Sequence, residues 1–117
     1  DSYNANPASV KAAIQVLIQK SHHPILVLGD MAELGEMTQV AHEDIGLFAK
    51  KAGIQKLFCY GKNSIYAARK FGDNAAHFDH YEKLIAALKV QLADQMTVLV
   101  KGSRSMRMEK VVEGLLG

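Results

Sequence analysis

Three short stretches concentrate the side chains able to do chemistry. The first, Asp1-Ser2-Tyr3-Asn4-Ala5-Asn6-Pro7-Ala8-Ser9, packs oxygens and amides directly ahead of a segment with helical apolar period. A turn that opens a helix presents unpaired backbone N–H groups and the positive end of the helix dipole, which suits a nucleotide or an anionic substrate. The second, Gly29-Asp30-Met31-Ala32-Glu33-Leu34-Gly35-Glu36, carries three carboxylates on a loop with a glycine near each end. Such carboxylates grip an ammonium group or orient a metal-bound phosphate; the plain alternative is that Asp30 caps a turn while the glutamates face water. The third, Lys101-Gly102-Ser103-Arg104-Ser105, combines cations, hydroxyls and free N–H groups. It suits a carboxylate or phosphate, with Ser103 or Ser105 as a simple helix cap the competing reading.

The elements that must position these stretches alternate in type. Apolar runs at 25–28, 56–60, 75–78 and 97–100 read as strands, and segments at 8–20, 38–52, 63–72, 81–94 and 105–116 read as helices. In the first helix Val10, Ala13, Ile14, Leu17 and Ile18 recur at spacings of three and four, one apolar stripe for a sheet. Pro24 stops that helix, and Gly53, Gly61 and Gly72 punctuate later ones. Strands apolar along their whole length belong in a parallel sheet covered on both faces. The expectation is an α/β fold: a doubly wound, mostly parallel open sheet with helices on both faces. Ligands bind such sheets beyond the carboxyl ends of the strands, where the second and third stretches lie.

Other chemistries are disfavoured. Gly-x-x-x-x-Gly-Lys-Ser/Thr and Gly-x-Gly-x-x-Gly are both absent, which argues against a P-loop and against a dinucleotide oxidoreductase. The five histidines include no pair spaced for a metal around a glutamate, so no metal site is expected. His42, on a helix beside Glu43 and Asp44, reads as a packing or helix-surface residue rather than a general base. Met106 and Met108 read as core filler in the last helix, and Cys59 as a buried structural thiol in a reducing compartment. The 117 residues fit one domain, and a net charge of +2 without a basic stripe argues against nucleic acid. No run reaches the roughly 18 apolar residues of a membrane span. A cytoplasmic monomer is expected. The opening loop has no strand ahead of it, so the chain reads as a domain excised from a longer polypeptide.

Taken in order, the run Asp-Ser-Tyr-Asn-Ala-Asn-Pro at 1–7, Leu-Gly-Asp-Met-Ala-Glu-Leu-Gly at 28–35 and Val-Lys-Gly-Ser-Arg-Ser-Met at 100–106, with Met108-Glu109 following, resemble the C-terminal domain of the Mur ligases, the amide ligases of bacterial peptidoglycan synthesis. Within that family they look like the branch that joins D-alanyl-D-alanine to a UDP-N-acetylmuramoyl-tripeptide. The resemblance implies a Rossmann-like third domain of a three-domain enzyme, closing over ATP and Mg²⁺ held mainly by an absent central domain. That would account for the missing P-loop. ATP would phosphorylate the tripeptide carboxylate, and the dipeptide amine would attack the acyl phosphate. By the same resemblance, Asp1, Tyr3, Asn4, Asn6 and Pro7 meet the ribose and adenine of ATP. Asp30, Met31, Glu33 and Leu34, with Lys101, Gly102, Ser103 and Arg104, border the incoming dipeptide: carboxylates toward its amine, cations and Ser103 toward its carboxylate. No catalytic residue and no metal ligand falls in this domain, and alone it should catalyse nothing. A free-standing α/β module for a small anion or nucleotide is the alternative.

Overall fold

A computed structural model describes residues 5–92 and 96–117. The chain runs α1 (Pro7–Lys20), β1 (Pro24–Gly29), α2 (Thr38–Ala52), β2 (Lys56–Tyr60), α3 (Ile65–Phe71), β3 (Ala75–Phe78), α4 (Tyr81–Gln91), β4 (Thr97–Lys101) and α5 (Glu109–Leu116). Short 3-10 turns at Gly35–Met37 and Arg104–Met106 precede α2 and α5. The four strands form one parallel sheet in the order β3-β2-β1-β4, with Leu26 of β1 opposite Leu57 of β2 and Leu99 of β4.

Strand alternation divides the core in two. Leu26 and Leu28 of β1, with Leu57 and Cys59 of β2, face Val10, Ile14, Ile45, Ala49 and Phe71 of α1, α2 and α3. Ile25, Val27 and Phe58 face Leu84 and Leu88 of α4 and Val111 of α5. All six residues of β1 are buried, because this strand has helices on both faces and strands on both edges. Helix α2 ends in a left-handed Gly53, whose N–H returns to the Ala49 carbonyl. Helices α2 and α3 approach so closely at Gly46 that a β-carbon there would strike the Ala67 backbone.

The doubly wound parallel sheet expected from the apolar runs is therefore the fold, and each strand matches its run to within a residue. Three helices differ in their bounds: the third runs Ile65–Phe71 rather than 63–72. The fourth helix closes at Gln91, with positions 93 and 94 of the expected span outside the described residues. The last begins at Glu109 rather than near 105: Arg104–Met106 is a 3-10 turn and Arg107 is left-handed, at φ 49°. Met106 and Met108 are packed as expected, though both precede the helix. Cys59 is fully buried, and desolvation pushes its thiol well above the ordinary range, the opposite of what a nucleophile needs.

Candidate functional site

The chain winds from β1 outward to β2 and β3, then crosses back through α4 to place β4 on the other side of β1. Beyond the carboxyl ends of β1 and β4 the two following loops part toward opposite faces, leaving a crevice at the switch of strand order. A cleft of about 870 Å³ occupies this place. Three segments distant in sequence line it: Ala5 and Asn6 ahead of α1, Ala32 and Glu33 after β1, and Ser103, Arg104, Ser105, Arg107 and Glu109 after β4. The three stretches singled out by their chemistry thus converge.

The first wall is set by a capping box. Asn6 Oδ1 accepts from the Ser9 N–H at 2.9 Å, and Ser9 Oγ accepts from the Asn6 N–H at 3.0 Å, with Pro7 at the first helical position. The side-chain oxygen of Asn6, a residue expected to meet the nucleotide, is therefore committed to the helix. Asn6→Ala should lower the unfolding free energy by about 1 kcal/mol, read from the urea midpoint. Asp1, Tyr3 and Asn4 lie outside the described residues.

The second wall holds a surprise. Asp30, expected to face a ligand amine, is buried, and its carboxylate accepts from the backbone N–H groups of Asn63 (3.0 Å to each oxygen) and Ser64 (2.7 Å). It caps the β2–α3 turn across the sheet, while its carbonyl accepts from the Ser103 N–H at 2.9 Å. One residue thus ties three loops together. Met31 is buried too, and its N–H donates to His42 Nε2 at 3.0 Å. The other ring nitrogen, Nδ1, therefore carries the proton and donates to the Thr38 carbonyl at 2.7 Å. His42 braces this loop from α2, as the packing reading expected, and both its nitrogens are used. Leu34 packs on the core, so of the four residues named here only Glu33 reaches the cleft.

The third wall rests on a close approach of backbones. A β-carbon on Gly102 would lie 2.5 Å from Met108 Cγ and 3.2 Å from the Gly29 Cα, so only glycine lets Met108 cover the ends of β1 and β4. Lys101 is buried at the last position of β4, on the strand face shared with Leu99. Ser103 Oγ pairs with Ser105 Oγ at 3.0 Å, and Arg104 is exposed. The 3-10 turn is pinned by Tyr81, whose hydroxyl donates to the Met106 carbonyl and whose ring stacks on Tyr60 at 4.3 Å between centroids. Burial, then Tyr60, and to a smaller extent the Glu109 carboxylate push the Tyr81 hydroxyl up to about 12, against Arg107. The folded protein thus holds this proton more tightly than the unfolded chain. The associated stability is complete below about pH 10 and is lost as pH rises toward about 12. Tyr81→Phe should remove that alkaline component from a series of urea midpoints.

Two cleft residues were not picked out as site residues from the sequence, Arg107 and Glu109, because 105–116 reads as one helical period with no proline and with its one glycine, Gly114, only near the end. Backbone conformation marks them instead. Among the described residues the only non-glycine left-handed positions are Glu33, at φ 61°, and Arg107, and both line this cleft. Such positions cost on the order of 1 kcal/mol or more and concentrate at binding sites. The cleft therefore presents two guanidinium groups, Arg104 and Arg107, together with two carboxylates, Glu33 and Glu109. No group of three or more His, Cys, Asp or Glu side chains among the described residues is placed to hold a metal ion.

Residues 1–104 match the family model for the Mur ligase, glutamate ligase domain. The chain belongs to the Mur ligase family. Over 117 residues this Mur ligase domain is 45% identical to the UDP-N-acetylmuramoyl-tripeptide–D-alanyl-D-alanine ligase of Escherichia coli K12, covering 98% of the domain and 26% of the relative. The corresponding ligase of Bacillus subtilis 168 is 34% identical over 99% of the domain and 27% of its own length. The domain thus spans about a quarter of the curated relatives it matches. Among solved structures, a MurF ligase from Thermotoga maritima in complex with ADP superposes with a TM-score of 0.88 at 25% identity, over 98% of the domain and 26% of that chain. A MurF from Acinetobacter baumannii gives 0.89 at 29% identity, over 99% and 26%. The Rossmann-like fold and the family expected from the three stretches are both upheld. No helix among the described residues is long and apolar enough to cross a membrane.

Proposed function

We propose that this domain is the C-terminal part of a three-domain, cytoplasmic, ATP-dependent ligase that joins D-alanyl-D-alanine to a UDP-N-acetylmuramoyl-tripeptide in peptidoglycan synthesis. The observation that carries the reading is identity along the whole domain with ligases named for that reaction, combined with a cleft at the strand switch lined by all three motif stretches. In this reading the tripeptide carboxylate takes the γ-phosphoryl group of ATP and ADP leaves. The dipeptide nitrogen then bonds to the acyl carbon, inorganic phosphate departs and the nitrogen loses a proton. In this reading Mg²⁺ would neutralise the phosphates and would be held mainly by the central domain.

This domain's contribution is alignment and exclusion of water. Asn6 meets the nucleotide side, and Arg104 and Arg107 attract a carboxylate or phosphate at the opposite wall. The acyl phosphate is destroyed by water, so a mobile domain that brings the dipeptide and closes the site serves both needs. Residues Asp1, Tyr3 and Asn4 complete the nucleotide contact in this reading, and Lys101, Gly102 and Ser103 form the floor under the dipeptide. The partners are the tripeptide nucleotide, the dipeptide, ATP and the protein's own upstream domains, in a monomer.

The test is phosphate release by the full-length protein with tripeptide nucleotide and Mg-ATP, with and without D-alanyl-D-alanine. Release should depend on the dipeptide, Arg104→Ala should raise the dipeptide KM, and the 117-residue domain alone should release nothing. Dipeptide-independent release by a folded preparation would overturn the assignment in favour of a nucleotide- or anion-binding module.

A further inference from the structure

Among the described residues, one buried side-chain oxygen or nitrogen stands without a hydrogen-bond partner, and it is Oε2 of Glu109. Its residue lines the cleft. A carboxylate oxygen out of contact with water and without a donor is costly, and the cost is relieved when a ligand supplies the donor. The neighbouring hydroxyl that could have served is engaged: the Tyr81 O–H is given to the Met106 carbonyl. The backbone around Glu109 is held in place for this arrangement by the left-handed turn at Arg107 and by Met108, which is fully buried over Gly29 and Gly102.

The geometry points to Glu109 as the binding residue for the amine of the dipeptide nucleophile, an assignment that rests on the ligase reading above. Two comparisons decide for it. Of the carboxylates in this region, Asp30 already accepts three hydrogen bonds from Asn63 and Ser64, and Glu33 stands in open solvent, where an ion pair is worth little. Of the two carboxylate residues that line the cleft, only Glu109 has a buried oxygen without a hydrogen-bond partner. A carboxylate accepts and never donates, so its complement is an N–H or O–H donor, and an ammonium group is the strongest of these. Arg104 and Arg107 in the same cleft supply the opposite charge, so the lining complements a zwitterion with an amine at one end and a carboxylate at the other. Glu109 is also the first residue of α5, where the helix dipole accommodates a negative charge.

The test uses the full-length enzyme, with Glu109→Gln as the main variant because it keeps shape and removes the charge, and Glu109→Asp as the conservative one. Steady-state KM values are measured separately for D-alanyl-D-alanine, ATP and the tripeptide nucleotide, and inhibition is compared for D-alanyl-D-alanine analogues with a free and an N-acetylated amine. Glu109→Gln should raise the dipeptide KM about tenfold or more while leaving the other two within about twofold, and Glu109→Asp should recover part of the loss. The variant should also lose the wild type's preference for the free-amine analogue. An unchanged dipeptide KM, an equal rise in all three constants, or retained preference for the free amine would overturn the assignment. If the wild type itself shows no dipeptide-dependent phosphate release, the ligase reading fails and this one with it, a result distinguishable from failure confined to the variants.

Discussion

Gly46→Ala should destabilise the domain by about 2–3 kcal/mol, seen as a lower urea midpoint at unchanged slope. In an ordinary exposed helix the same change would stabilise by roughly 0.5–1 kcal/mol, since alanine loses less backbone freedom than glycine. Here a β-carbon on α2 would collide with the Ala67 carbonyl oxygen and lie 2.9 Å from its carbonyl carbon and 3.0 Å from its Cα. These are backbone atoms of α3, which no rotamer change moves aside. The helices would have to separate, opening the packing of Ile45, Ala49 and Ala67 against the sheet. Overpacking therefore exceeds the propensity gain, and a higher midpoint would mean that α2 and α3 are not in backbone contact.

Asp30→Ala should be worse, with a loss of about 3 kcal/mol or more. Removing the carboxylate strips the acceptor from the N–H groups of Asn63 and Ser64, and Ser64 is fully buried. Asp30→Asn, which keeps one acceptor oxygen, should cost less. In the full-length enzyme Asp30→Ala should appear as heat lability and loss of active protein, with no selective rise in the KM of any one substrate. A selective rise in the dipeptide KM at unchanged stability would place the carboxylate on the ligand instead. This residue shows why a carboxylate at a strand end is ambiguous to a reader of the sequence. Its partners lie more than thirty positions away, in a turn whose composition, Gly61-Lys62-Asn63-Ser64, gives no sign of needing an acceptor.

The sheet was legible for a different reason. Continuous apolar runs separated by helical periods admit few arrangements besides a covered parallel sheet, and the burial of all of β1 follows from its central place in it. His42 was legible in part: of the two roles left open, packing or helix surface, it takes the buried one, but its hydrogen bonds to Met31 and Thr38 are set by the fold and not by the acids beside it. The start of α5 was not. Ser105-Met106-Arg107-Met108 contains no helix breaker, and an arginine in left-handed conformation is imposed by tertiary packing around Met108 rather than by local preference. Glu109 was hidden by the same error, because its value lies in a missing partner, which no residue pattern displays.

The pairing of β1 with β4 has a further consequence for how the domain is made. Ile25 meets Lys56 on one side but Val98 on the other, so one edge of β1 closes over a single helical crossover and the other only when most of the chain is available. During synthesis β1, β2 and β3 emerge first and can assemble by local crossovers, while the most apolar strand of the sheet still presents an open edge. Docking of β4 seals that edge and in the same event brings residues 103–109 opposite Ala32 and Glu33. The cleft is thus the last feature to form, and a nascent or truncated chain lacking β4 exposes a sticky hydrophobic border without acquiring any binding surface in exchange.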